Sequence, residues 1–160
     1  MLAISVMKTK GGKFTIMINS NEYFEKQGSL YLDNISYDLL TLESNPENVK
    51  IKIVDQLESE LINNKTQLKV VFTRIVKHDP EVLFNLKVSF GAIYTFKKEY
   101  LGDSLDDIDF NEMLKNNRNI LFLNIISRTS QLISEITSSH GQHPFVTPPL
   151  FLYNNNDNET

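Results

Sequence analysis

The strongest constraint on this chain is a change of hydrophobic period in its second half. Phe84, Leu86, Val88 and Phe90 alternate with Asn85, Lys87 and Ser89; after Gly91, Ala92, Tyr94 and Phe96 occupy one side and Ile93 and Thr95 the other. A repeat of two is the mark of a strand with one buried face. Further on, Ile125, Ile126, Thr129, Leu132, Ile133 and Ile136 recur at helical spacing, with Arg128, Gln131 and Glu135 opposite,. A sheet with one apolar face and a helix with one apolar stripe bury both by packing together. Gly91, standing alone within the strand, predicts a bulge or a close approach of another group to the backbone.

The preceding sequence supplies the rest of such a sheet. Leu30 to Leu40 reads as a first strand whose alternation is broken at Asn34. Val49, Ile51 and Ile53 alternate with Lys50 and Lys52, and Leu68, Val70 and Phe72 share one face of a third strand,. Turn chemistry stands at Asn45-Pro46-Glu47, Asn63-Asn64-Lys65 and His78-Asp79-Pro80-Glu81,. The expected fold class is α+β, a four-stranded antiparallel meander packed on one long C-terminal helix. Residues 97–118 read as a polar loop with a short helical piece over 109–116. Asn119 is placed to cap the long helix, Gly141 to end it, and Pro144, Pro148 and Pro149 to keep the exit extended,. The first helical turn, Ile120 to Leu123, is apolar all round, which predicts contact with a second surface, the same helix of another subunit. Residues 1–28 read as an N-terminal extension with a short strand at Phe14, Ile16 and Ile18 after the Gly11-Gly12 turn. Residues 29–153 form the expected domain, and 154–160 an Asn-rich, disordered tail,.

Several function classes find no support. A net charge of −4 without a basic stripe argues against nucleic acid,. The chain has no cysteine, hence no disulfide and no thiolate metal site,. No segment approaches the roughly 18 apolar residues of a membrane helix, and no basic leader precedes the first apolar run. A cytoplasmic protein without membrane insertion is expected. His140 and His143 flank Gly-Gln with no third ligand nearby, which reads as a turn rather than a metal site,. Asp103, Asp106, Asp107 and Asp109 lack the glycine and closing glutamate of a calcium loop,. Neither a cofactor nor catalysis is expected, since no nucleophile, base and orienter stand at productive spacing.

The order of pieces resembles the SecB family of export chaperones over residues 29–151. The resemblance rests on the strand Leu30-Tyr-Leu-Asp-Asn-Ile-Ser-Tyr-Asp38, on Val88 through Phe96 with Gly91, on Asn119-Ile-Leu-Phe122, and on Gly141, Pro144 and Pro149. It implies an ATP-independent holdase for unfolded polypeptides, serving export or a dedicated client. It also implies a homotetramer, a dimer of dimers with the long helices packed between two eight-stranded sheets. Client-binding residues are then expected among Ile93, Tyr94, Phe96, Phe110, Met113 and Leu114, the alternative for each being burial in the core. Subunit contacts are expected along Leu121, Ile125, Thr129, Leu132 and Ile136. Export members dock SecA through acidic residues on the outer sheet face; here Asn34, Asp38 and Lys87 occupy those positions, which puts SecA as a partner in doubt. The family's second helix is missing after the prolines. The alternative is an interaction protein of the same fold committed to one partner, such as the antitoxin of a toxin–antitoxin pair.

Overall fold

The computed structural model describes residues 6–8, 14–16, 23–26, 29–40, 48–101, 109–110, 114, 122–139 and 143–152. Among the described residues seven strands precede the long helix: β1 (Val6–Lys8), β2 (Phe14–Ile16), β3 (Phe24–Lys26), β4 (Leu30–Leu39), β5 (Lys50–Ile62), β6 (Gln67–Asp79), β7 (Phe84–Phe96) and α1 (Leu123–Ser139). β1 and β2 pair with each other as a separate ribbon, Val6 opposite Ile16. The other strands form one antiparallel sheet whose helix side carries the core.

Within that sheet β5, β6 and β7 follow one another as the expected meander. The first long strand does not continue that order. β4 lies on the far side of β7, Leu39 opposite Phe84, so first and last strands are neighbours as in a Greek key,. β3 extends the same edge, Phe24 opposite Phe96, making five strands where the sequence suggested four. Phe24 is buried, its ring 5.1 Å from Tyr94 and 4.9 Å from Phe96. Residues 23–26 therefore belong to the packed body, not to an outlying extension. Burying one phenylalanine contributes roughly 1.5–3 kcal/mol, enough to hold so short a strand.

The broken alternation of β4 is a bulge. Leu32 stands opposite Phe90 and Asn34 opposite Ser89, which leaves Asp33 as an extra residue,. One extra residue exchanges the two faces, so Leu30 and Leu32 before it share the helix side with Ile35, Tyr37 and Leu39 after it,. Gly91 is not bulged, because the β6–β7 register runs through Val71 and Gly91 without a shift. Its role is the other one expected: the Tyr31 ring occupies the space that a Cβ at Gly91 would need.

The β5–β6 turn is closed by Asn63, Asn64 and Lys65, all in the left-handed region with φ of 51°, 53° and 62°. Asparagine tolerates that region better than most residues. The Thr66 N–H and hydroxyl both donate to the Asn63 carbonyl, at 3.1 and 2.7 Å. At the other end His78 is buried, and its Nδ1 donates to the Phe84 carbonyl at 2.9 Å.

α1 lays Ile125, Ile126, Thr129, Ser130, Ile133 and Thr137 on the sheet. Near its start Phe122, Ile125 and Ile126 meet Leu68, Val70, Phe72, Ala92, Tyr94 and Phe96. Further along Ile133 meets Val76, Phe84, Leu86 and Val88. The buried hydroxyls of Thr129 and Thr137 donate to the carbonyls of Ile125 and Ile133, both at 2.9 Å, so neither is left unsatisfied,. The expected cap, Asn119, lies outside the described residues, as do Gly141 and the tail 154–160.

Candidate functional site

The bulge in β4 has a consequence for the surface. It gathers Leu30, Leu32, Ile35 and Leu39 into one helix-side row, and these are 38%, 49%, 42% and 71% exposed. Tyr37 stands in the same row, half-buried, with its ring 5.6 Å from Phe84. From the helix, Leu132 and Ile136 pack against the same cluster as Tyr37 and are also half-buried. The result is an apolar shelf between the helix flank and a strand that pairs only with β7 along its length. Among the described residues the other edge of β4 is unpaired. A ten-residue edge with aliphatic side chains and free backbone groups is a template for another extended chain,.

The residues expected to bind clients are divided by the fold. Tyr94, Phe96 and Leu114 are buried within the protomer. Burial pushes the Tyr94 phenol up to about 12 by desolvation,. Phe110 is half-buried at the rim of this cluster, edge-on to Phe96 at 5.8 Å. Ile93 is half-buried on the opposite face, across from Lys69. Met113 lies outside the described residues.

The residues expected at subunit contacts divide likewise. Ile125 and Thr129 are enclosed against their own sheet, so Leu132 and Ile136 are the described members of that row with surface to offer a partner. Leu121 is not among the described residues. The outward side of α1 is polar: Arg128 donates to Gln131 at 3.2 Å, and Gln131 to Glu135 at 2.8 Å. On the outer sheet face Asn34 and Asp38 lie opposite Ser89 and Asn85, and Lys87 opposite Ser36; all three are exposed.

One buried constellation was not anticipated. Arg74 and Asp55 are enclosed on the helix side of the sheet, joined by Nε to Oδ1 and Nη2 to Oδ2, both 2.7 Å. Arg74 also donates to Ser130 of α1 at 2.8 Å, to Thr147 at 3.1 Å, and to the carbonyls of Pro148 and Leu150 at 2.7 Å. Asp55 Oδ2 accepts the Leu152 N–H at 2.8 Å. The pair thus holds an extended C-terminal segment by its backbone, while Phe151 packs on Phe72 at 5.9 Å. Its sequence signal was present: Asp55 interrupts the apolar row Ile51, Ile53, Leu57, and Arg74 interrupts Phe72 and Val76. With every guanidinium N–H engaged, the pair is structural rather than open to a substrate. Among the described residues no group of three potential ligands could hold a metal ion, and no helix is long and apolar enough to cross a membrane.

No family model matches the sequence, and no curated protein matches it. Solved structures do. The chain is similar to the SecB-like chaperone Rv1957 of Mycobacterium tuberculosis, solved in complex with a ChAD peptide from the Rv1956 HigA1 antitoxin. The TM-score is 0.56 at 7% identity, over 77% of this chain and 88% of that one. A protein of unknown function from Streptococcus agalactiae gives a TM-score of 0.39 at 11% identity, over 77% and 95%, a likeness too distant to bear on function. The first comparison establishes the fold, which is SecB-like.

Proposed function

We propose that the protein is an ATP-independent holdase of the cytoplasm, built to keep non-native polypeptides from aggregating. The observation that carries this reading is the uncovered aliphatic row of β4 beside an unpaired strand edge. An extended client segment adds to that edge through its backbone and lays alternate side chains on Leu32, Ile35, Leu39 and the flank of α1. Phe110 extends the surface where it stands at the rim of the core, while Ile93, on the opposite face of the sheet, is not part of it. Both backbone pairing and apolar burial tolerate many sequences. Covering about 800 Å² of apolar client surface contributes roughly 20 kcal/mol before ordering and association costs remove most of it. The protein works as a homotetramer, which multiplies the edges available to one client. Docking to SecA is not part of the proposal, because the outer face offers Asp38 alone among Asn34, Asp38 and Lys87.

A second reading, a chaperone committed to one antitoxin-like partner, is favoured by the peptide found on the Mycobacterium protein. Suppression of aggregation, scored over a panel of unrelated unfolded proteins, separates the two. A generalist protects most of the panel and a specialist protects one member. In either case Leu32→Asp with Ile35→Asp lowers capture at least tenfold, while Lys87→Ala leaves it unchanged. Undiminished protection by the double variant would remove the β4 edge from the mechanism.

A further inference from the structure

We infer that the outer face of the sheet carries a docking site for a short acidic segment of another protein, one that sets an apolar side chain between its carboxylates. The centre of the site is an apolar pair. Val54 of β5 stands opposite Ile75 of β6, both half-buried on the face turned away from α1. One step along the same face Lys52 stands opposite Lys77, and Lys87 of β7 stands opposite Ile75. Lys50 continues the β5 row, and all four lysines are exposed.

These lysines lack a counter-charge. Among the described residues none of the four is joined to a carboxylate, although Asp79 stands opposite Lys50 in register. Lys52 and Lys77 face each other directly, and like charges so placed destabilise a sheet,. Lys87 has Ile75 on one side and Ser36 on the other. Lysines on an edge strand deter unwanted pairing, which accounts for Lys50 and Lys52. It does not account for Lys77 and Lys87, because β6 and β7 lie inside the sheet. A face that only met water would interleave its signs to avoid repulsion. Along β5 they are segregated instead, with Lys50 and Lys52 at one end and Glu58 and Glu60 at the other.

Spacing and screening select the occupant. Residues opposite each other across strands stand about 5 Å apart, and those two apart along one strand about 7 Å. Carboxylates at alternate positions of an extended chain repeat at the same 7 Å or so, and an apolar side chain between them covers Val54 and Ile75. At physiological salt charges act over about 8–10 Å, so a short segment on this patch feels chiefly the lysines. A long polyanion also meets Glu58, Glu60 and a protein of net charge −4. The side chains bordering the lysines, Val54, Ile75 and Ser36, offer no ring on which a base could stack,. An acidic polypeptide is therefore favoured over nucleic acid. The site lies across the sheet from the β4 shelf, so it goes beyond the holdase reading and does not rest on it.

The probes are two fluorescein-labelled peptides of equal glutamate content, one with leucine and one with serine between the glutamates. Binding to the full-length protein is followed by fluorescence anisotropy at low salt. The leucine peptide binds at least about fivefold more tightly than the serine peptide, and Lys52→Glu with Lys77→Glu weakens it at least about tenfold. That double reversal keeps a like-charge pair in the ladder, so the fold is retained, as circular dichroism checks. Lys52→Arg with Lys77→Arg binds within about threefold of wild type. Leu32→Asp with Ile35→Asp also binds the peptide as wild type does, which separates this site from client capture. The inference is overturned if wild type binds neither peptide, binds both equally, or holds the leucine peptide as well after the double reversal. Tighter binding of a single-stranded oligonucleotide or of phosphatidylserine vesicles than of the leucine peptide also overturns it. So does a changed sedimentation of the reversed protein alone, which would assign the lysines to a contact between copies.

Discussion

Arg74 and Asp55 face each other across the β5–β6 ladder and share two 2.7 Å hydrogen bonds with both side chains enclosed. The same guanidinium reaches α1 through Ser130 and the C-terminal segment through Thr147, Pro148 and Leu150. One residue therefore ties two strands, the helix and the chain's exit together. Arg74→Met is expected to cost about 3–5 kcal/mol, because it strands a buried carboxylate. Asp55→Leu combined with Arg74→Met should cost less than the two single changes added together, since neither charge is then left alone. Urea unfolding of the four proteins measures both quantities, and a loss below about 1 kcal/mol for Arg74→Met would contradict the assignment.

Tyr31 and Gly91 make a second pair open to a double-mutant cycle. Alanine at Gly91 drives its Cβ into the Tyr31 ring, and overpacking of this kind costs about 1–3 kcal/mol. In a Tyr31→Ala background the obstruction is gone, and the same Gly91→Ala change should cost under about 0.5 kcal/mol. Strictly additive losses would mean that the ring is not the reason for the glycine.

Tyr94 gives a pH signature. Burial favours its neutral phenol and carries it from 10.0 to about 12 in the folded chain. The unfolded chain ionises first, so the contribution is complete below pH 10 and is lost as pH rises toward 12, with a slope of at most about 1.4 kcal/mol per pH unit. Tyr94→Phe has no proton to lose there, and its stability curve should be flatter over that window by this amount. Parallel curves for the two proteins would show that the phenol is not held neutral by the core.

Much of this architecture is legible along the chain because strand and helix periods are set by near neighbours. The alternations of Leu68 to Phe72 and Phe84 to Phe96 appear as β6 and β7, and the spacing of Ile125, Ile126 and Ile133 as the buried face of α1. Gly91 announced that something comes close, and Asn34 that a pattern breaks. Neither told which residue was responsible. Tyr31 and Asp33 did that through register with β7, a relation between segments some sixty residues apart.

What the sequence by itself determined is therefore local: which segments are strands, which is the helix, and which side of each is apolar. Tertiary structure alone decided that β4 closes on β7, that Phe24 joins the core, that Asp55 finds Arg74, and that Tyr94 and Phe96 lie inside while Leu32 and Leu39 lie outside. The physical reason is that burial depends on how much area the packed elements can cover. One helix lies over β6 and β7 and leaves the outermost strand's apolar row in water, whatever that row's own pattern says,.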